Sequence, residues 1–308
     1  MLTYEKDPRC WLAELSDLEA DPAPEGVREH LDTIRRIVDW ARAYLTKPHP
    51  ELGRTGPVCP FVRPALARGT IFYTVCPGAD LDVDQVESVA RRYRDWFLEL
   101  EPVSGRDAQY KSINMIFPDV PRSAMGRVIE GAQERLKLLY AREGIMIGEF
   151  HPGPPDKGGL WNEHFRPLRS PLPLLGIRHM VPTDFAFLKD GRETMEIYLA
   201  AFGDTVPAAL AEQVHAAAVR FGLRQGEEPS PAAAGRAEAE PRAAADPEPR
   251  AAADSEARAA AAAGCPHHAA SAPAAGAECP AHAEAGTAPG ERVPVGRIVS
   301  EDVAGAGV

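Results

Sequence analysis

The stretch YKSINMIFPDVPRSAMGRVIEGAQERLKLLYAREGIMIGEF, residues 110–150, decides the fold. Its first eight residues alternate in part between apolar and polar side chains, which predicts a β-strand over 110–117. Apolar side chains then recur at helical spacing, at Met125, Val128, Ile129, Ala132, Leu136, Leu139 and Tyr140. Gly144 ends that helix, and the apolar run IMIGEF predicts a further strand over 145–150. The stretch therefore reads strand, helix, strand.

The residues on the N-terminal side of this stretch add a further strand and a further helix in the same alternating order. TIFYTV, after Gly69, predicts a strand over 70–75. Asp82 or Asp84 caps a helix whose apolar face is formed by Val86, Val89, Ala90, Tyr93, Phe97 and Leu100. The order β-α-β-α-β favours one sheet with helices packed over it. Further upstream, one long amphipathic helix is predicted over 21–45 and a short helix around Trp11, Leu12 and Leu15.

The residues on the C-terminal side complete the domain. A fourth strand is predicted over 172–180, then a helix from Thr183 or Asp184 to about Phe202, and a last helix ending near Leu223. No aromatic residue follows Arg224, so this tail cannot offset the entropy of ordering. The predicted fold class is α/β (or α+β), with a central sheet of about four strands. Three parts are expected: a helical segment, 1–47, packed on the domain; the domain, 48–225; and a disordered tail, 226–308.

Composition excludes several function classes. The net charge is −11, and 13 acidic against 6 basic residues follow Gln225. Without a basic stripe, no nucleic-acid partner is expected. We see neither a signal peptide nor an apolar run of about 20 residues, so the sequence predicts a cytoplasmic protein without a membrane partner, with its five cysteines reduced. Phosphate-loop, dinucleotide-fold, nucleophile-elbow and HExxH motifs are absent.

Three His and three Arg crowd into Ile145–Leu188, the candidate site. His151 follows a predicted strand, where side chains commonly line a cleft. It could ligate a metal or haem iron, act as a base, or bond a carbonyl as an ordinary loop histidine. On a strand, Arg178 and His179 face opposite sides. His179 is a candidate axial ligand or a core histidine, and Arg178 a candidate for holding a carboxylate or propionate.

The other polar residues of this span have two interpretations each. Arg166 and Arg169 lack an acidic neighbour nearby in the sequence, so they suit an anionic substrate or haem propionates, or are solvated. His164, in NEHFR, forms either a polar wall or plain surface. Asp184, in Pro182-Thr183-Asp184, reads as a helix cap rather than a catalytic acid.

Cysteine-proline pairs recur at Cys59, Cys76, Cys265 and Cys279. Cys-Pro is a recurring thiolate haem-ligation dipeptide, although proline is abundant in this chain. In the tail, two Cys and three His form a possible zinc ligand set or incidental low-complexity sequence: Cys265, His267, His268, Cys279 and His282.

Over about residues 48–223 the chain resembles an uncharacterised actinobacterial domain family that is often seen near natural-product genes. The resemblance rests on the order of three segments: CPFVRPALARGTIFYTV, then KSINMIFPD, then HPG followed by LWNEHFRPLRSPLPLLGIRHMVPTDFAFL. More remotely, the layout is similar to the YqcI/YcgG family, which includes haem-dependent N-oxygenases acting on amines of amino acids. This resemblance implies that Cys59 and Phe61 match the first family motif. It also implies that His151 or His179 lies in the axial-ligand region.

Three functions are therefore expected. The first is a haem-dependent oxygenase of secondary metabolism that oxidises a small anionic or amine metabolite, with His179 or His151 on iron and Arg166, Arg169 or Arg178 on propionates or substrate. The second is a non-catalytic accessory protein that binds a small molecule, metal or haem. The third is a cofactor-free isomerase or cyclase that uses His151 as a base.

Overall fold

The computed structural model describes residues 1–224. The predicted tail lies outside the described residues, together with the zinc candidates Cys265, His267, His268, Cys279 and His282. Within residues 1–224, no helix is both long and apolar enough to cross a membrane.

The N-terminus forms a β-hairpin, so the helix predicted around Trp11 and Leu12 was wrong. β1 (Leu2–Tyr4) pairs antiparallel with β2 (Asp7–Leu12). Cys10 and Leu12 are buried while Trp11 between them is half-buried, which is the period of a strand rather than a helix. The following residue, Ala13, then bonds through its backbone to Tyr73, at 2.7 Å for the Ala13 N–H donor.

The predicted long helix over 21–45 is divided. After α1 (Leu15–Glu19) come α2 (Glu25–Arg28), α3 (Leu31–Trp40) and a π-helical turn, Ala41–Leu45. The break lies at Glu29 and His30, where the His30 ring stacks on Trp11 with ring centroids 5.8 Å apart. A tertiary contact with the hairpin thus accompanies the break in the helix.

A four-stranded mixed sheet forms the centre of the fold, which confirms the predicted class. Its strands are β3 (Ile71–Val75), β4 (Ser112–Ile116), β5 (Ile145–Phe150) and β6 (Leu174–His179), in the order β3-β4-β6-β5. β3 and β4 are parallel, and β6 is antiparallel to both of its neighbours. The carboxyl ends of β3, β4 and β5 therefore meet at one edge of the sheet.

Helices cover both faces of this sheet. Face A, the side bearing Ile113, Ile147 and Ile177, packs against α5 (Val83–Glu99), a π-helical turn (Gly126–Glu130) and α6 (Gly131–Arg142). Asp82 caps α5 through a capping box with Gln85, as predicted. Face B, the side bearing Tyr73, packs against α3 and α4 (Val62–Arg68).

The C-terminal helices form a separate cluster beside β5. They are α7 (Phe185–Leu188), α8 (Arg192–Phe202) and α9 (Ala211–Arg220), preceded by 3-10 turns at Pro182–Asp184 and Ala208–Leu210. Their apolar side chains pack around Met146 and Ala141. Three further 3-10 turns lie at Pro50–Leu52, Ala108–Tyr110 and Arg122–Ala124.

Candidate active site at the end of strand β5

His151 follows β5 directly and is 2% exposed. Its backbone is fixed to the returning chain, since its N–H donates to Leu168 O and its carbonyl accepts from Ser170 N, both at 3.3 Å. The side chain points to face A, where Nε2 lies 3.0 Å from Oε1 of Glu130. Nδ1 is buried and has no hydrogen-bond partner among the described residues. One ring nitrogen is therefore held and the other is uncommitted.

Glu130 comes from the last residue of the π-helical turn that precedes α6. Its side chain is 35% exposed, so the carboxylate keeps contact with solvent. An ionised carboxylate only accepts hydrogen bonds, so it fixes the imidazole proton on Nε2 and leaves a lone pair on Nδ1. π-helical turns occur frequently at functional sites.

A second acidic group lies under the loop that follows His151. Glu149 is 1% exposed and forms an ion pair with Lys157, which also donates to Oε1 of Gln133 at 3.1 Å. Burial raises the pKa of Glu149, and Lys157 opposes that rise. Lys157 is carried by the Gly- and Pro-rich loop, so this ion pair fastens the loop over the strand end.

Gly153 leaves a small space beside the uncommitted nitrogen. A Cβ at this position would lie 3.9 Å from Nδ1 of His151 and 4.0 Å from Nη2 of Arg122. The imidazole and the guanidinium thus flank one point above Gly153. Arg122 is exposed and has no side-chain hydrogen bond or ion pair among the first 224 residues, so its guanidinium can reach an anion held above Gly153.

His179 is the last residue of β6, on face A and partly exposed, and it pairs with the start of β5, at the opposite end from this cluster. Its ring packs on Phe97 with centroids 5.0 Å apart, and its Nε2 is buried without a partner within the described chain. Burial, followed by the charge of Lys111, lowers the pKa of His179 to about 4. Lys111 is itself 1% exposed and donates to the carbonyls of Phe97 and Leu100, which end α5. His179 is therefore a neutral histidine at pH 7.

Arg178 points to face B, so the expectation that it faces away from His179 is confirmed. Its Nη1 and Nη2 donate to the two carboxylate oxygens of Asp184, at 2.7 and 2.5 Å. Asp184 also accepts from Val181 N at 2.8 Å, which closes the start of the 3-10 turn, but its side chain makes no cap hydrogen bond to α7, the helix that it was predicted to cap. Cys59 lies on the same side as α3, since its N–H donates to Leu45 O at 2.8 Å at the end of the π-helical turn that continues this helix.

The remaining predicted site residues lie on the surface of the loop. Arg166 forms an ion pair with Asp156 and donates to Glu163 O at 2.6 Å, so the expectation that it lacks an acidic neighbour was wrong. Arg169 is exposed, and its charge acts on Tyr44. His164 has a side chain that is 86% exposed.

These positions do not fit one haem. His151 and His179 lie on face A, whereas Arg178 and Cys59 lie on face B, with the sheet between the two pairs. His151 uses Nε2 for Glu130, and the carboxylates of Asp156 and Asp184 already hold Arg166 and Arg178, two of the three arginines predicted for propionates. No group of three or more possible metal ligands occurs among residues 1–224.

Two surface clefts, of about 410 and 380 Å³, lie elsewhere. The first runs along α1 and α3 and includes Arg35 and Asp39, and the second follows charged side chains of α5 such as Glu87 and Arg91. Both are open surfaces of helices, and neither includes His151 or His179.

Several residues of the site were missed in the sequence. Glu149 was detectable, because it is the acidic residue on the buried face of an otherwise apolar strand. Glu130 and Gln133 were not, since polar residues three apart on an amphipathic helix usually face solvent. No sequence pattern around Arg122 indicated that it would lie beside His151.

A mixed four-stranded sheet between two layers of helices, with a carboxylate-held histidine at the end of a strand, defines an α/β domain with a candidate acid–base site. The chain belongs to the family described as a domain of unknown function (DUF6875), whose model matches residues 34–213. No curated protein matches the chain significantly, and neither does any solved structure.

Proposed function

We propose that the protein is an enzyme that transfers a proton to and from a small carboxylate-bearing metabolite, with His151 as the general base. The observation that carries this proposal is the state of the His151 ring: Nε2 bonds Glu130 at 3.0 Å, while Nδ1 is buried and uncommitted. His151 is almost fully buried, and most buried polar atoms have hydrogen-bond partners, so its uncommitted Nδ1 calls for a functional explanation.

The chemistry of this pair follows from its geometry. Nδ1 accepts a proton from the substrate, and the resulting imidazolium is stabilised by the Glu130 carboxylate on the opposite side of the ring. Glu130 also keeps the ring from rotating and fixes the tautomer. The proton then returns from Nδ1 to another atom of the substrate, which makes the overall reaction an isomerisation or a related rearrangement.

The position of Arg122 favours a substrate that bears a carboxylate. Its guanidinium and Nδ1 flank the space above Gly153, so a carboxylate on Arg122 would present the neighbouring carbon or hydroxyl to the base. Gly153 belongs to the loop that the ion pair of Lys157 and Glu149 fastens, and closure of this loop over a substrate would exclude water from the proton transfer.

Proton exchange tests the proposal without knowledge of the product. Small 2-oxo, 2-hydroxy and 2-amino acids are incubated with the protein in D2O, and loss of the C–H signal is followed by ¹H NMR. We expect exchange of at least one compound to be accelerated. His151→Gln, which keeps a donor for Glu130 but has no base at Nδ1, is expected to lower that rate by about 100-fold or more.

The matched control is His164→Gln, because His164 is exposed. It is expected to exchange protons at the wild-type rate. Equal rates in His151→Gln and wild type would contradict the assignment of the base. Binding of an acid without exchange would favour the alternative, an accessory protein that binds small molecules without transforming them.

A haem-dependent oxygenase of secondary metabolism is the second candidate function. It rests on the resemblance to the YqcI/YcgG family. One observation favours it, namely a neutral, partly exposed imidazole at His179 with a buried, uncommitted Nε2, the form that ligates iron. A haem on either histidine would have Arg178 on the far side of the sheet, so this arginine could not hold its propionates.

A further inference from the structure

The middle of face B carries polar and small residues where an apolar core is expected. One row across the sheet consists of Tyr73, Asn114, Gly176 and Gly148, paired in register. The neighbouring row on the same face contains Ser112 and Arg178. All of these except Tyr73 are partly exposed, although they lie in the interior of the sheet. Solvent therefore reaches the floor of face B.

The two glycines leave this floor without side chains. A Cβ on Gly176 would lie 3.4 Å from Oδ1 of Asn114 and 3.5 Å from the Phe150 ring, and one on Gly148 would lie 3.3 Å from the same ring. The edge of Phe150 therefore borders both glycines. Neighbouring strands are about 4.8 Å apart and successive residues on one face about 7 Å apart, so the floor measures about 10 by 7 Å. That is the area of one planar ring.

Arg178 offers a second donor edge to this floor. Asp184 occupies the end formed by Nη1 and Nη2, and the other Nη1 hydrogen goes to His179 O at 2.9 Å. The edge formed by Nε and the second Nη2 hydrogen has no acceptor in the described part of the chain. The side chain is 29% exposed, and this edge has the spacing that a carboxylate accepts bidentately.

Aromatic side chains stand along the same face. Trp40 packs edge-on against Phe150 at a centroid distance of 5.9 Å and stacks with Tyr44 at 6.0 Å, and all three are partly exposed. Tyr73 is fully buried and its hydroxyl has no partner within residues 1–224, while the charge of Arg42 acts on it. Apolar rings, the unpartnered Tyr73 hydroxyl and cationic side chains thus stand beside the glycine floor, whereas the Asn114 amide nitrogen donates to Phe72 O at 3.3 Å.

We propose that face B is a binding site for a planar aromatic carboxylate, separate from the proton-transfer site on face A. The carboxylate occupies the unused edge of Arg178, and the ring lies on Gly176 and Gly148 beside Phe150. Arg42 and Arg169 balance the added negative charge, because Asp184 already neutralises Arg178. This site goes beyond the proposed reaction and does not depend on it.

Benzoate tests the site in titrations of the full chain, followed by the backbone amide signals of Gly148 and Gly176 in NMR. We expect saturable shifts with benzoate, and much weaker binding of the uncharged benzamide. Arg178→Lys keeps a positive charge beside Asp184 but lacks the Nε and Nη2 donors that would bind the carboxylate. This variant is expected to weaken benzoate binding roughly tenfold or more.

Gly176→Ala is the second variant, since its Cβ fits at 3.4 Å and occupies the floor without removing a charge. It is expected to weaken benzoate binding several-fold while the melting temperature stays near that of wild type. Arg166→Lys is the matched control, because Arg166 pairs with Asp156 on the surface. Absence of shifts at millimolar benzoate, equal binding of benzamide, or unchanged binding in both variants would overturn the proposal.

Discussion

His179→Gln is expected to reduce the loss of stability that the protein suffers in acid. In the folded chain, burial and the charge of Lys111 lower the pKa of His179 from 6.5 to about 4. The unfolded chain therefore binds a proton between about pH 6.5 and pH 4 that the folded chain does not. Because the folded pKa is lowered, stability is unaffected above pH 6.5 and falls as the pH drops towards 4.

The size of the effect follows from the two pKa values. Each pKa unit corresponds to about 1.4 kcal/mol, so the free energy of unfolding falls by about 3 kcal/mol through this residue alone. Glutamine does not titrate, and its replacement of the ring lowers stability equally at every pH. The other titrating groups are shared by both proteins and cancel when the two are compared.

Urea unfolding at pH 7, 6, 5 and 4 measures this difference. Between pH 7 and pH 4, wild type is expected to lose about 3 kcal/mol more than His179→Gln. His164→Gln, whose side chain is exposed, is the control and is expected to follow wild type. Parallel curves for wild type and His179→Gln would refute the account of a neutral imidazole.

Three further outcomes are expected. Asp184→Ala leaves the Arg178 charge without its partner and is expected to cost about 3–5 kcal/mol in urea unfolding, whereas Asp156→Ala on the surface is expected to cost less than about 1 kcal/mol. Lys157→Met removes the ion pair with Glu149, so amide hydrogen exchange in residues 152–160 is expected to accelerate while that of β5 stays unchanged; equal protection would contradict a fastened loop. Added haem is expected to produce no Soret band in the purified protein, and a stoichiometric band near 400 nm would instead support the oxygenase.

The sheet and its helices could be predicted because hydrophobic period and caps are local properties of the sequence. The strand over 145–150 was found with its observed bounds, and the helix after Asp82 began where its capping box lies. The N-terminal hairpin was not found, because a six-residue strand that alternates beside acidic residues resembles one turn of amphipathic helix. Pairing with β1 and bonding of Ala13 to β3 decide between the two, and both are tertiary contacts.

The sequence identified the central histidine of the site but not the residues that bond to it. His151 was identifiable by its position after a strand, and the opposite orientation of Arg178 and His179 followed from the strand period. The bond from His151 to Glu130 joins residues 21 positions apart through a π-helical turn, which no spacing rule shows. The pairing of Arg166 with Asp156 likewise depends on how the loop folds back.

The state of the His151 ring tests the central claim most directly. ¹⁵N-labelled protein is measured at neutral pH by long-range ¹H–¹⁵N correlation, which distinguishes protonated from unprotonated imidazole nitrogens. We expect His151 to carry its proton on Nε2 and a lone pair on Nδ1, and we expect Glu130→Gln to weaken this preference. A proton on Nδ1 in the wild-type protein would contradict the assignment of His151 as a base held ready by Glu130.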